Sequence, residues 1–314
     1  MGRHTMEVRL NTATGTTSRF ATEQAQRLLG RLAFQIARTI RSGGAREVHD
    51  LRVAIRRFLR VLVVLKQCFP RKESRKVRRV LKKIRAQAGT VRDHDIALRL
   101  LKKLAPAGSG LPVRELRSAR DEASRALAAS LKSWVRRNLS AKWRGALAGG
   151  SPNAKPIPVT AARLLPPMAR EFFEWGDAAA REKADASELH RFRIAAKNFR
   201  YTLELLAPIY GESAGALLEQ LKGVQTVLGE INDCATVRRL VPRDAGSREM
   251  LSALKKRQRK KTEAFRREWA AFNGAASVRQ WMASLRHPGA SEAPARKPPG
   301  RVAHAPLTHR SASA

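Results

Sequence analysis

The stretch that decides the fold spans residues 49–60 and reads His49-Asp50-Leu51-Arg52-Val53-Ala54-Ile55-Arg56-Arg57-Phe58-Leu59-Arg60. In a helix, side chains that step by three or four positions share one face. Such steps place an imidazole and three guanidinium groups on a single stripe: His49, Arg52, Arg56 and Arg60. They place apolar side chains on a second stripe: Leu51, Ile55, Phe58, Leu62 and Leu65. The pattern predicts an amphipathic helix that buries one side and presents cations on the other.

A row of cations on one helix face needs a counter-charge. Like charges at helical spacing destabilise a helix by roughly 0.2–0.5 kcal/mol per pair. The whole chain has 63 Lys and Arg residues against 26 Asp and Glu, which gives a formal net charge of +37. This imbalance indicates an anionic partner, which can be a nucleic acid, an acidic membrane surface or a polymer of phosphate. Composition leaves all three open.

Composition also bears on the compartment. Two cysteines, Cys68 and Cys234, in 314 residues argue against a disulfide scaffold and favour a reducing compartment. The longest aliphatic run, Val61 to Leu65, is far shorter than the roughly 20 residues that span a bilayer. We therefore expect a cytoplasmic protein with no membrane span. Aromatic residues make up only 5% of the chain, which disfavours binding of nucleic acid by base stacking.

Glycine and proline divide the chain into five segments. We expect a flexible lead-in over 1–17, an N-terminal helical half over 18–148 and a linker over 149–160. A C-terminal helical half over 161–286 and a disordered, proline-rich basic tail over 287–314 follow. Alternation of β-branched residues is almost absent, so the predicted fold class is all-α.

Helix limits inside the two halves are predicted from the same residues. Gly89 and Gly229 are each expected to end a helix, and Asp93 and Asn232-Asp233 to begin the next ones. Single long helices are expected over about 113–147 and 247–285.

Caps and prolines set further helix limits. Ser18 is the expected N-cap of the first helix. We expect Pro208 to end a helix, and Pro166-Pro167 to mark a kink or a helix start.

The two halves repeat one pattern. His190 follows His49 by 141 positions, and Gly229 follows Gly89 by 140. Gly44 and Asp185 occupy equivalent predicted N-cap positions, each followed by a glutamate three residues later. We predict two antiparallel helical bundles, related by a pseudo-twofold axis, that form one compact domain with a central basic groove or pore.

The second copy rebuilds the basic stripe. It contains His190, Arg193, Lys197 and Arg200, with Tyr201 beside them. Facing stripes would line a shared groove, and Lys82 and Lys222 on the following helices can add to its lining. Arginine grips phosphate oxygens through a fork of two donors, whereas lysine acts as a compact charge.

The same residues allow other interpretations. A basic stripe often only solvates a helix face, but recurrence in both halves favours a binding role. A metal site is disfavoured because arginines flank both histidines, with Asp93-His94-Asp95 as the other cluster to test. Asp93 and Asp233 are expected to be helix caps or partners of buried arginines. No phosphate-binding glycine loop or nucleophile motif is present in the sequence, so we expect no enzyme activity and no cofactor.

These residues resemble the CHAD domain, named for its histidines and its α-helical content. The resemblance covers about residues 18–286. It is carried by His49-x-x-Arg52-x-x-x-Arg56-Arg57, Gly89-x-x-Arg92-Asp93, His190-x-x-Arg193-x-x-x-Lys197 with Arg200-Tyr201, and Leu228-Gly229-x-x-Asn232-Asp233. Some relatives are fused to a CYTH-type triphosphatase, whose Glu-x-Glu-x-Lys start is missing at Met6-Glu7-Val8-Arg9. We therefore expect a stand-alone CHAD protein.

The resemblance implies binding of inorganic polyphosphate in a basic pore, and for some relatives accumulation on polyphosphate granules. It implies the following contacts: His49, Arg52, Arg56, Arg57, Lys82, His190, Arg193, Lys197, Arg200 and Lys222. One position departs from the family pattern, because Leu59 lies where a basic residue equivalent to Arg200 is usual and Arg60 is the next cation. Nucleic-acid binding is the alternative function, and a metal-dependent phosphohydrolase is a weaker one.

Overall fold

A computed structural model of the chain describes residues 15–104, 112–148 and 153–288. Ten α-helices lie within these ranges: α1 (Thr17–Ser42), α2 (Ala45–Val64), α3 (Arg71–Leu104), α4 (Val113–Arg136), α5 (Leu139–Ala148), α6 (Ile157–Ala180), α7 (Ala186–Tyr210), α8 (Glu212–Leu240), α9 (Arg248–Phe272) and α10 (Ala275–Arg286). A short 3₁₀ turn, Lys66–Cys68, follows α2. The described part of the chain has no β-strand, only an isolated bridge between Thr16 and Pro156. The all-α prediction is confirmed.

The helices form two halves, α1–α5 and α6–α10, with the same order of packing. In each half the first helix packs on the second, the second on the third and the third on the fourth, and the fifth returns to the first. Across the halves, α2 contacts α7 and α3 contacts α8, so helices meet their own counterparts. The starts of α1 and α6 also lie together, since the Thr17 backbone N–H donates to the Lys155 carbonyl oxygen at 2.8 Å. This is the arrangement that two twofold-related bundles require.

The predicted helix ends at Gly89 and Gly229 are wrong. Both glycines lie inside helices, α3 and α8, and so do Asp93 and Asp233, which are therefore not N-caps. A glycine in a helix interior costs only about 0.5–1 kcal/mol relative to alanine. Helices of 34 and 29 residues that pack on several neighbours tolerate that cost.

Proline also fails to end the helices where expected. Pro208 lies within α7, which continues to Tyr210 and ends at Gly211 with a φ of 57°. Pro166 and Pro167 lie inside α6, which begins at Ile157, so the predicted helix start is wrong and the alternative, a kink, stays a prediction. Proline lacks an N–H donor and its ring crowds the carbonyl of the residue four positions earlier, but a helix held by tertiary packing tolerates these local costs.

One long helix is predicted near the end of each half, but the structure divides each of them into two helices. Asn138 has a φ of 47° and separates α4 from α5. Asn273 and Gly274 separate α9 from α10. Asparagine and glycine tolerate the backbone conformations that end helices. An asparagine therefore stands at the break in both halves.

N-caps are predicted with mixed success. Gly44 and Asp185 cap α2 and α7 as expected, and Asp185 forms a reciprocal capping box with Glu188. Ser18 is not the cap of α1. That role belongs to Thr16, whose hydroxyl accepts a hydrogen bond from the Arg19 backbone N–H.

The cores of the halves differ in composition. The buried residues of α2 are mainly aliphatic with Phe58 among them, whereas the second half packs rings against one another. Phe172 is the centre of that aromatic cluster, with ring centroids of Phe192 and Trp269 at 5.3 and 5.4 Å. Gly176 is required here, because a Cβ atom at this position would overlap the Trp269 ring. These cores hold α2 and α7 in fixed orientations against each other.

The predicted segment limits fall partly outside the described residues. Residues 1–14 of the lead-in, 149–152 of the linker and 289–314 of the tail lie outside them, and so does 105–111. Within the described part, Thr17 already belongs to α1 and Ile157 to α6.

Candidate anion-binding site

Tyr201 of α7 lies between arginines from both halves. Its hydroxyl accepts a hydrogen bond from Arg56 Nε of α2 at 2.9 Å. The guanidinium carbons of Arg56 and Arg200 lie 5.5 and 4.9 Å from the centroid of the buried ring. Cations at this distance from an aromatic face are attracted by it. Tyr201 therefore orients one arginine of each stripe.

Two further arginines of α2, Arg57 and Arg60, contact side chains of the second half. Arg57 Nε lies 3.1 Å from Glu204 Oε2, and Arg200 Nη1 lies 3.0 Å from the other oxygen of that carboxylate. Arg60 Nε donates to Thr202 Oγ1 at 2.6 Å, and its Nη2 lies 3.5 Å from the Met168 sulfur. Burial lowers the pKa of Arg60 to about 10. This part of the α2 stripe joins the two halves.

Arg52 leans onto α3. Its Nη1 donates to the Arg85 carbonyl oxygen at 3.3 Å and passes over Gly89, where a Cβ atom would lie 2.8 Å from that nitrogen. Burial, and then the charge of Arg56, lower the pKa of Arg52 to about 10. Gly89 therefore leaves space for this guanidinium, which explains a glycine inside a helix.

Two cations of α7 on the facing side, Arg193 and Lys197, are half-buried and have fewer hydrogen-bond partners than the arginines of α2. Arg193 Nε is buried without a hydrogen-bond partner among the described residues. Burial lowers the pKa of Arg193, and the charge of Arg56 adds to this. Burial also lowers the pKa of Lys197 to about 7, with the charges of Arg193, Arg56 and Arg52 as further causes. We name the four residues that interact here the cation cluster: Arg52, Arg56, Arg193 and Lys197.

Two carboxylates flank the cation cluster. Burial raises the pKa of Asp93 on α3 and of Asp233 on α8, against the attraction of nearby arginines. Asp233 Oδ2 lies 3.1 Å from Arg99 Nη2. Asp93 attracts Arg52 and Arg193. The ion pair of Asp233 is with exposed Arg99, and both aspartates attract half-buried Arg193 through charge alone. The predicted partnership with buried arginines is therefore supported only as charge attraction, and the predicted capping role is wrong.

Arginines of α3 near the cluster were missed as site residues. Arg92 lowers the pKa of both His49 and Arg52, and Arg85 contributes at Arg52. Arg85, Gly89 and Arg92 step by four and three residues, which is the spacing of one helix face. The sequence contains that signal, but the predicted helix end at Gly89 obscured it.

The remaining predicted contacts lie at the surface. His49 and His190 are both exposed. Partial burial, and then the charges of Arg92 and Arg56, lower the pKa of His49. Lys82 and Lys222 are exposed on α3 and α8, and Lys222 Nζ lies 3.3 Å from Glu219 Oε2. The ligand role of these four residues stays a prediction.

An open cavity of about 240 Å³ lies where α1, α2, α7 and α8 meet. Its lining contains three arginines, a carboxylate and apolar side chains: Arg27, Leu28, Arg31, Arg57, Tyr201, Glu204, Leu205 and Leu218. Burial, and then the charges of Arg31 and Arg57, lower the pKa of Arg27. Arg27 and Arg31 were not predicted as site residues, although their spacing of four places them on one face of α1.

The Asp93-His94-Asp95 cluster on α3 is the other candidate metal site. His94 is buried, with Nδ1 2.8 Å from the Thr90 carbonyl oxygen. Asp95 accepts from Arg120 Nε at 3.1 Å. Among the described residues no group of three or more His, Cys, Asp or Glu is arranged to hold a metal ion. None of the described helices is long and apolar enough to cross a membrane.

Fold and site together define a class: an all-α protein of two repeated halves that bring arginine-rich helices face to face. The CHAD domain family model matches residues 23–242. The chain belongs to the CHAD domain family, as the sequence motifs predicted.

Two solved structures share the fold. The CHAD domain from the plant Ricinus communis matches with a TM-score of 0.60 and 20% sequence identity, over 88% of this chain and 93% of that chain. PptA from Streptomyces chartreusis matches with a TM-score of 0.57 and 17% identity, over 82% of this chain and 99% of that chain. At these identities the likeness concerns the fold alone. No curated protein sequence matches the chain.

Proposed function

We propose that this protein binds inorganic polyphosphate at the cation cluster. The observation that carries the proposal is the state of the α7 cations, since Arg193 Nε is buried without a partner among the described residues. Lys197 likewise has no hydrogen bond or ion pair to a described residue, although it is half-buried beside three arginines. Unpaired buried donors and uncompensated charge are costly, and an anion relieves both.

Polyphosphate suits this cluster in charge and geometry. It is a linear anion whose successive phosphates carry closely spaced negative charges and several acceptor oxygens each. Arginines from α2 and α7 can donate to neighbouring phosphates, and Lys197 can add a compact charge. Family membership also supports this ligand, because the resemblance to CHAD proteins implies polyphosphate binding.

Asp93 and Asp233 affect the charge of the cluster before a ligand binds. Asp93 and Asp233 partly neutralise the cluster while it is empty, which reduces repulsion among its arginines. A bound polymer supplies a stronger counter-charge and releases condensed counterions. Affinity should therefore fall steeply with salt, as it does for other linear polyanions.

We propose binding without turnover, in a cytoplasmic protein that can associate with polyphosphate granules. Polyphosphate incubated with the protein and Mg²⁺ should keep its chain length on a gel. Shortening that disappears in a His49→Ala, His190→Ala double variant would instead establish a phosphohydrolase.

Competition tests the ligand class. Labelled duplex DNA bound to the protein should be displaced by long-chain polyphosphate at matched phosphate concentration, and duplex DNA should displace labelled polyphosphate poorly. The reverse order would assign the cluster to nucleic acid and refute the proposal.

A further inference from the structure

Lys197 differs chemically from the other members of the cation cluster. Guanidinium groups remain protonated at any physiological pH, whereas a lysine ammonium can lose its proton when burial and neighbouring cations disfavour the charge. The internal repeat places Arg56 of α2 and Lys197 of α7 at equivalent positions. Only the second half therefore has a member that can become neutral near pH 7.

The surroundings of Lys197 oppose its charge in the empty protein. Arg193 on the same helix and Arg52 and Arg56 on α2 repel the ammonium, and burial withdraws it from water. Asp233 on α8 is the carboxylate that attracts it, and that carboxylate already pairs with Arg99. Asp93 on α3 acts on the neighbouring Arg52 and Arg193. Among the described residues, no hydrogen-bond acceptor contacts the Lys197 amine.

We propose that polyphosphate binds to this site together with a proton, which Lys197 takes up as the polymer enters. The inference rests on the proposed function and concerns the regulation of the same site. A phosphate oxygen beside Lys197 adds negative charge and an acceptor, and both favour the ammonium form. The cluster therefore gains its fourth positive charge, that of Lys197, when a bound anion is there to neutralise it.

The sign of the pH dependence follows from this exchange. The pKa of Lys197 is about 7 in the empty protein, and a bound polyanion raises it. Below about pH 7 the lysine is largely charged before binding, so no proton is needed. Above that pH, affinity falls by up to about tenfold per pH unit, until the pKa of the complex is reached.

Calorimetry tests the inference on the full chain. Long-chain polyphosphate, which has few titrating end groups, is titrated at pH 8 in two buffers of different ionisation enthalpy. Because most amines with a pKa of about 7 are neutral at pH 8, the wild type should take up most of one proton per site.

Matched variants assign the proton. Lys197→Arg keeps the positive charge but cannot be neutral, so it should bind polyphosphate with an uptake near zero and with an affinity that is flat from pH 7 to 9. Lys260→Arg, at an exposed lysine of α9 outside the predicted contacts, should behave as the wild type.

Each outcome of these titrations is decisive. Binding by the wild type without proton uptake would overturn the inference and leave the proposed function intact. Uptake that persists in Lys197→Arg would assign the proton to another group and overturn it as well. Absence of binding by the wild type would refute the proposed function itself.

Discussion

Helices α2 and α7 carry the same stripe in the sequence but use it differently. Four arginines of α2 have protein partners for named nitrogens: Arg52 with the Arg85 carbonyl, Arg56 with Tyr201, Arg57 with Glu204 and Arg60 with Thr202. On α7, the Nε atoms of Arg193 and Arg200 are buried without partners in the described part of the chain. The two copies are therefore unequal: Arg56, Arg57 and Arg60 of α2 contact the second half, whereas α7 keeps unpaired donors for a ligand.

The largest effect should come from reversing a charge on the α7 side of the cluster. Arg193→Glu should weaken polyphosphate binding by about 100-fold, because it removes a guanidinium donor and adds repulsion. Arg52→Glu should have a similar effect, whereas Lys260→Glu on exposed α9 should change the dissociation constant by less than about threefold. Fluorescence titration with labelled polyphosphate measures all three.

Folding must be separated from binding in that comparison. Arg193→Gln, which deletes the charge without reversing it, should weaken binding by about tenfold and keep the helical circular dichroism of the wild type. Equal losses for Arg193→Glu and Lys260→Glu would mean that net charge alone determines affinity, and the distinction between the cluster and the general surface would fail.

Because Arg60 of α2 contacts the second half, removal of its partner should lower the stability of the fold and leave polyphosphate binding unchanged. Thr202→Val removes the hydroxyl that accepts from Arg60 Nε at 2.6 Å in a half-buried position. Loss of that partner should lower the free energy of unfolding by about 1–3 kcal/mol, measured by urea denaturation. Polyphosphate affinity should change by less than about threefold, because Arg60 contacts Thr202 and Met168. A large loss of affinity would place Arg60 in the ligand site.

The smallest expected effect concerns Gly89 and Gly229, which occupy equivalent positions of the repeat. A Cβ atom at Gly89 would lie 2.8 Å from Arg52 Nη1, whereas nothing lies within 4 Å of one at Gly229. Gly89→Ala should displace the Arg52 side chain and weaken binding by about threefold. Gly229→Ala should leave binding unchanged and stabilise the fold by up to about 1 kcal/mol. Identical binding by both variants would remove the argument that Gly89 makes space for Arg52.

The sequence predicts the repeat, the fold class and the two stripes because helical spacing and recurrence are local properties of a chain. It fails at Gly89, Pro208 and Gly229, where tertiary packing overrides the tendency of these residues to end helices. That error hid Arg85 and Arg92 and gave Asp93 a capping role. Arg27 and Arg31 escaped prediction because only the tertiary structure, which brings residues of α1, α2, α7 and α8 together, places them around one cavity.

Partner assignments lie beyond sequence reasoning for a related reason. The stripe predicts that Arg56 and Arg60 face one side, but it cannot tell which of them meets a side chain of the other half. The hydroxyls of Tyr201 and Thr202 decide this, and they lie 145 and 142 positions away along the chain.

A crystal structure with a short oligophosphate bound would test the central claim most directly. We expect phosphate oxygens within hydrogen-bond distance of Arg193 Nε and Lys197 Nζ, with Arg52 or Arg56 on the facing side of the same polymer. Phosphates bound at the Lys255 to Lys261 run of α9, with the cation cluster empty, would contradict the account.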